Sequence, residues 1–448
     1  MIPLIVMLLS CTPAAPKPSL LLLTVQGVRA DRVGAYGYNP TDTPHLDAVA
    51  KRGTKFSRAY ATSTNATVSL TSIMTGLNPP AHGTRISSDE SAYTSDKTVF
   101  YDDSKTGSDS PHANSFIHDV GSRGGFLQTL QDNGYDTRSN RHVNLPTLDQ
   151  MRRFDFAARS LLDNFDRSDK WFETDVSDVE VWVVHFPSVA KMDGRTLSTQ
   201  EYDAKLRDYD EYIGKLLAEW TTFRPRGYVV VAGVTGSLNG ARDDAALGLT
   251  DDILRVPLIV QGPNVEADWE VTEVVSTVDV AATIGELLDV PLNGHGQYLM
   301  SGGSTLAYHE STYGYERFNT RPMVGYTEAS GRYAEGVYGR WYPASKDSVA
   351  PFELPVSEYA EQAEVLKQLR AEFGPDQGLP GEAWTLQSDV RDSVRLDSLA
   401  TKLELAIAGG RLPAAKRMFN RLRASAPSAP IVKDLEARLQ KASAKLAE

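Results

Sequence analysis

The sequence is poor in the residues that would build several common kinds of site. A single cysteine, Cys11, stands in 448 residues, so no internal disulfide can form, and neither a CxxC redox pair nor a cysteine-ligated zinc site is available. Positive charge is short as well: 46 Lys and Arg face 58 Asp and Glu, a formal net charge of −12. A chain this acidic repels a phosphate backbone, which argues against nucleic acid as a partner. No apolar run reaches the roughly 18 residues that a membrane-spanning helix needs. The eight histidines show neither HxH nor HExxH spacing, and no GxGxxG or Walker loop appears, so zinc and nucleotide readings lack their motifs. What remains is ordinary: 23% charged and 41% apolar residues, a globular composition. At roughly 150 residues per domain, the length suggests about three units, or one large α/β domain with attachments.

Continuous apolar runs punctuate the chain. Ser19–Val25, Val179–His185, Tyr228–Ala232 and Val256–Val260 read as strands buried on both faces. Between them, Thr43–Arg52 and Phe126–Asn133 have helical spacing, the latter stopped by Gly134. Glu201–Trp220 sets Tyr202, Leu206, Tyr209, Ile213, Leu216 and Leu217 at three- and four-residue steps. Buried strands alternating with amphipathic helices predict a mostly parallel central sheet flanked by helices. Residues 86–122 lack any period and read as a long surface loop. The stretch from about Gly302 to Pro355 has short β-like runs, consistent with a smaller antiparallel subdomain. Asp397–Glu448 turns to Ala, Leu, Lys and Arg, with Leu403–Leu422 spaced as a helix, a Gly-Gly turn and a second helix. It is similar to one tetratricopeptide unit, although a single copy cannot bury its own face; the plainer reading is a terminal helical hairpin.

At the N-terminus, Met1–Ser10 is apolar and too short to cross a bilayer, like the core of an export signal. Leu-Leu-Ser-Cys11 resembles a bacterial lipobox, in which cleavage before the cysteine leaves it carrying lipid. Thr12–Pro18, with three prolines, would be an extended spacer. No Lys or Arg precedes the apolar run, a departure from the usual export signal. The alternative is a first buried strand with an incidental cysteine.

Several segments, taken in order, resemble the sulfatase family. They are Leu23–Gly34 with Tyr36–Tyr38, Thr43–Gly53 running into Phe56–Ala61, Ser69–Gly83, Tyr202–Gly214, Leu254–Pro263 and Val278–Ile284. The resemblance implies an α/β fold of alkaline-phosphatase type and the division 1–18 signal and tether, 19–300 core, 301–396 smaller C-terminal subdomain, 397–448 helical tail. It also implies a chemistry. Ester hydrolysis in this family needs a nucleophile, a divalent cation such as calcium held by hard oxygen donors, and basic groups that stabilise the departing charge.

Counting back from Thr75-Gly76, the family nucleophile falls on Ala66 and its arginine partner on Leu70. Thr67 is a displaced hydroxyl one residue along, where local backbone bonding is the commoner role. The acidic metal pair of the first strand falls on Gln26-Gly27, and the later pair on Val234-Thr235. Neutral amide and hydroxyl oxygens alone would hold a hard dication weakly. Arg29, Asp31 and Arg32 survive and are explained as helix-start and packing contacts. The expectation is therefore a catalytically silent sulfatase-fold lipoprotein, exported to the periplasm or outer membrane, needing no cofactor and binding a ligand or a protein partner. An active sulfuric- or phosphoric-ester hydrolase with a site rebuilt around Thr67, Gln26 and Thr235 is the alternative. A scaffold acting through its C-terminal helices is the third.

Overall fold

A computed structural model describes residues 17–39, 42–83, 125–139, 177–186, 188–192, 195–237, 248–314, 322–336, 339–344, 352–374, 396, 399–404, 406–407, 409–427 and 429–445. The expected loop over 86–122 and Cys11 lie outside the described residues.

The central sheet has seven strands in the order β3-β4-β1-β7-β8-β2-β9. They are β1 Leu20–Gln26, β2 Gly53–Tyr60, β3 Thr137–Ser139, β4 Val181–Phe186, β7 Tyr228–Thr235, β8 Leu258–Gln261 and β9 Trp269–Ser276. A two-stranded ribbon, β5 Lys191–Met192 and β6 Arg195–Thr196, stands apart from it. The pairs β3–β4, β4–β1, β1–β7 and β2–β9 are parallel. The exception is β8, antiparallel to both β7 and β2, so the mostly parallel sheet holds one reversed strand.

Alternation along each strand sends side chains to opposite faces. Leu20 and Leu22 of β1 and Val230 of β7 pack with Leu70, Ile73, Leu130 and Ile284 on one side. These last come from α2 Ala66–Thr75, α4 Phe126–Asp132 and α7 Asp279–Leu288; α3 Pro79–His82 follows α2. Leu21, Leu23 and Val231 pack on the other side with Leu46, Val49, Leu206 and Ile213, from α1 Pro44–Lys51 and α5 Thr199–Phe223. Both faces being covered is why the strands are apolar throughout. The long helix α5 begins at a capping box: Ser198 Oγ accepts from Glu201 N–H at 3.3 Å, and Glu201 Oε2 accepts from Ser198 N–H at 2.8 Å.

A second sheet is an antiparallel meander: β10 Ala307–Ser311, β11 Met323–Glu328, β12 Gly331–Glu335, β13 Gly339–Pro343 and β14 Phe352–Leu354. Between β7 and β8 lies α6 Asp251–Leu254, the short turn that enters β8. After the meander come α8 Ala360–Glu372, α9 Leu412–Ser425 and α10 Pro430–Lys445. Helical residues over 399–404 pack with α9 and α10 in a separate apolar cluster built on Leu403, Ala415, Phe419, Leu422 and Leu435. The tail thus has a third helix, α10, beyond the two of a hairpin, and it encloses a small core of its own.

Candidate functional site

Parallel strands β4, β1, β7, β2 and β9 all end at one edge of the sheet, the edge at which such folds place ligands. At β1 the ladder to β7 slips by one residue between Val25 and Gln26, so Gln26 lies opposite Thr235 and Val234 is passed over. Half-buried Gln26 and buried Thr235 therefore end adjacent strands side by side. Gly27 follows with φ +78°, and a Cβ there would come within 2.9 Å of Ser188 Oγ. Glycine is the residue most at ease in that conformation, so a side chain at this position would meet both backbone strain and the Ser188 hydroxyl. Tyr202 of α5 braces the turn: its hydroxyl donates to Gly27 O at 3.0 Å and accepts from Arg29 N–H at 3.2 Å. Burial pushes this phenol up to about 12, so it remains a neutral donor at physiological pH.

Ala66 opens α2. Asn65 Oδ1 accepts from Val68 N–H at 3.3 Å, a side-chain cap of the kind that starts helices. The hydroxyls around it bond locally. Ser69 Oγ donates to Ser63 O at 2.8 Å and accepts from Ser63 N–H at 3.1 Å. Thr62 Oγ1 donates to Ser72 Oγ at 2.7 Å, and Ser72 Oγ lies 2.9 Å from His82 Nε2. His82 thus serves as a contact between α3 and α2. Thr67 lies in the first turn of α2. Ala66 packs against the same apolar cluster that holds Leu70 and Val234; Leu70 is 4% and Val234 0% exposed.

Beyond Thr235 the chain is closed over by α6. Gly236 N–H donates to Ile253 O at 2.6 Å and Ser237 N–H to Asp252 O at 3.0 Å. A Cβ on Gly236 would fall 2.1 Å from Asp252 O, and one on Gly233 2.6 Å from Val256 Cβ. The neighbours Asp251 and Asp252 are both engaged in ion pairs. Asp252 meets the buried Arg29 guanidinium at 2.6 Å, which also forms a fork with Asp31 at 2.7 and 2.8 Å. Beside Arg29, the Asp31 carboxyl is held below its usual range. Asp251 meets the buried Arg332 of β12 at 2.7 Å. Arg32 bonds Tyr38, whose hydroxyl donates to Asp203 Oδ2 at 3.1 Å.

The second sheet reaches this edge through β10. Glu310 N–H donates to Thr62 O at 2.9 Å and Thr64 N–H to Glu310 O at 3.1 Å. His309, fully buried, places Nδ1 2.7 Å from Ala61 O and Nε2 2.7 Å from Thr327 Oγ1. A carbonyl only accepts, so Nδ1 carries the hydrogen. Thr327 Oγ1 accepts from Arg332 Nε at 2.7 Å, leaving its own hydrogen for Nε2 of a neutral ring. Burial and the nearby Arg332 push the imidazole well below its ordinary value. In sequence His309 is one histidine among eight, and nothing local marks its partners, 18 and 248 residues away.

Residues 18–156 match the family model described as Sulfatase. Over 91 residues the chain is 32% identical to an arylsulfatase of Clostridium perfringens, covering 20% of this chain and 19% of that protein. Over 63 residues it is 33% identical to an N-acetylgalactosamine-6-O-sulfatase of Bacteroides thetaiotaomicron, 14% of this chain and 12% of that one. The alignable stretch thus spans a fifth or less of these curated relatives. The fold extends much further: a solved 2-O GAG sulfatase superposes with a TM-score of 0.61 at 15% identity, over 84% of this chain and 96% of that one. Residues 18–156 thus resemble the sulfatase family, and the fold as a whole is like that of solved sulfatases.

Of the positions that the resemblance assigns to nucleophile, arginine and one metal ligand, Leu70 and Val234 are buried in one apolar cluster and Ala66 is partly buried against it. The remaining metal positions offer the amide of Gln26, the hydroxyl of Thr235 and, at Gly27, backbone only. Among the described residues no group of three or more His, Cys, Asp and Glu is arranged to hold a metal ion. A hard dication wants carboxylate oxygens, so this donor set does not fit the family's cation.

Proposed function

We propose that this chain is a catalytically silent sulfatase-fold protein, exported and anchored at the envelope through lipid on Cys11, that binds a ligand or a protein partner. One observation carries the reading: Leu70 and Val234 belong to one buried apolar cluster, with Ala66 partly buried against it, at positions where the family's reaction would need a guanidinium, a carboxylate and a nucleophile. An apolar cluster cannot attack sulfur or phosphorus, and it offers the departing oxyanion no stabilisation. Replacing clustered carboxylates by neutral and apolar groups also removes their mutual repulsion and desolvation cost.

The curated relatives are named as sulfatases, so sulfuric esters are the substrates to test first. Purified protein is expected to give no turnover of aryl sulfate or aryl phosphate above buffer, with or without added calcium, magnesium or manganese. Metal-stimulated turnover that disappears in Thr67→Ala would overturn the silent reading and establish a rebuilt sulfuric-ester hydrolase instead.

A further inference from the structure

The C-terminal tail is charged oppositely to the rest of the molecule. Residues 397–448 hold ten Lys and Arg against five Asp and Glu, whereas residues 1–396 hold 36 against 53. The imbalance is sharpest on α9, which contains no acidic residue. Its inward positions Ala415, Phe419 and Leu422 are buried in the tail cluster, while Lys416, Arg417, Asn420 and Arg421 are exposed.

Cations on the flanks of this unit find partners. Arg423 faces Glu436 at 3.5 Å, and Arg438 lies between Glu404 and Asp434 at 3.5 and 3.4 Å. Among the described residues, no carboxylate stands within ion-pair distance of Arg411, Lys416, Arg417 or Arg421. Their placement works against the helix. Arg411 occupies the N-cap, where the helix end is already positive. Arg417 and Arg421 are four residues apart, a spacing at which like charges repel. Departures from the folding rules that all raise positive charge on one face point to a use beyond folding.

We propose that the outward face of α9 docks a short acidic segment of a partner protein. Short, because a long polyanion or an anionic bilayer would also meet the acidic remainder of the chain and be repelled by it. Protein, because the large apolar side chains of α9 all face inward, leaving none to enter a membrane interface as surface-seeking helices do. The face is about 21 Å long at 1.5 Å per residue, the reach of roughly six residues of extended peptide. This interaction is independent of the silent-site reading and holds whether or not the core cleaves an ester.

The test uses the full chain and a fluorescein-labelled acidic octapeptide of Glu and Asp, followed by anisotropy. Binding is expected, weakening as salt rises from about 50 to about 200 mM. Combined Lys416→Glu, Arg417→Glu and Arg421→Glu substitutions are expected to lower affinity at least about tenfold, with Lys433→Glu on α10 without effect. Retained binding by the triple variant, or equal binding of a Gln octapeptide, overturns the proposal. So does tighter binding to phosphatidylcholine–phosphatidylglycerol vesicles or to duplex DNA, or self-association in sedimentation that the triple variant abolishes. Since the substituted side chains are exposed, the variant should keep its melting temperature. Should it unfold, Arg417→Gln alone, expected to weaken binding about threefold, decides the matter on the same terms.

Discussion

At the scale of single residues, the decisive fact is what Leu70 touches. Its side chain is 4% exposed within the cluster that also holds Val234, so a guanidinium there would be buried without a partner. Leu70→Arg is expected to cost roughly 4 kcal/mol or more, measured by chemical denaturation, and to leave aryl sulfate untouched. A variant as stable as the parent would show that the pocket can still open for an arginine. Gly27→Asp should likewise fail to create a cation site, because φ +78° and the nearby Ser188 Oγ oppose any side chain; calcium titration by calorimetry would detect success. The identities Ala66 and Leu70 are legible in the sequence because Thr75-Gly76 fixes the count. That they share a cluster with Val234 is not, since Val234 comes from a strand about 160 residues later, and burial is a property of the assembled sheet.

Elements tell a similar story. The strands β1, β4 and β7 announce themselves as unbroken apolar runs, and α5 by its periodicity. The direction of β8 does not, because so short an apolar run reads alike both ways. Nor does the docking of β10, whose polar Tyr-His-Glu-Ser core is stabilised by groups far away in sequence. His309 makes that docking sensitive to acid. Its folded value lies well below ordinary histidine, so the unfolded chain takes up the proton first. Stability is then complete above about pH 6.5 and falls as pH drops from there toward the folded value, by up to about 1.4 kcal/mol per unit. Denaturation at pH 7.5, 6.5 and 5.5 should show this slope, and His309→Gln should flatten it. An unchanged slope in the variant would place the proton uptake elsewhere.

For the molecule as a whole, the question is where it resides. No helix among the described residues is long and apolar enough to cross a membrane, and the proposed anchor is chemical: lipid on Cys11, at the end of a proline-rich spacer. Cys11→Ala is expected to move the protein from the membrane fraction to the soluble one when cells are fractionated; unchanged partitioning would reject the anchor.

The adjacent acids of α6 have a mechanical consequence. Asp252 is gripped by Arg29 at the turn after β1, and Asp251 by Arg332 of the antiparallel meander. Two lever arms therefore meet across one peptide unit. The meander is thus tied to the tip of the main sheet by charged, directional contacts as well as by the apolar packing of Tyr60, Leu254, Ala307 and Met323.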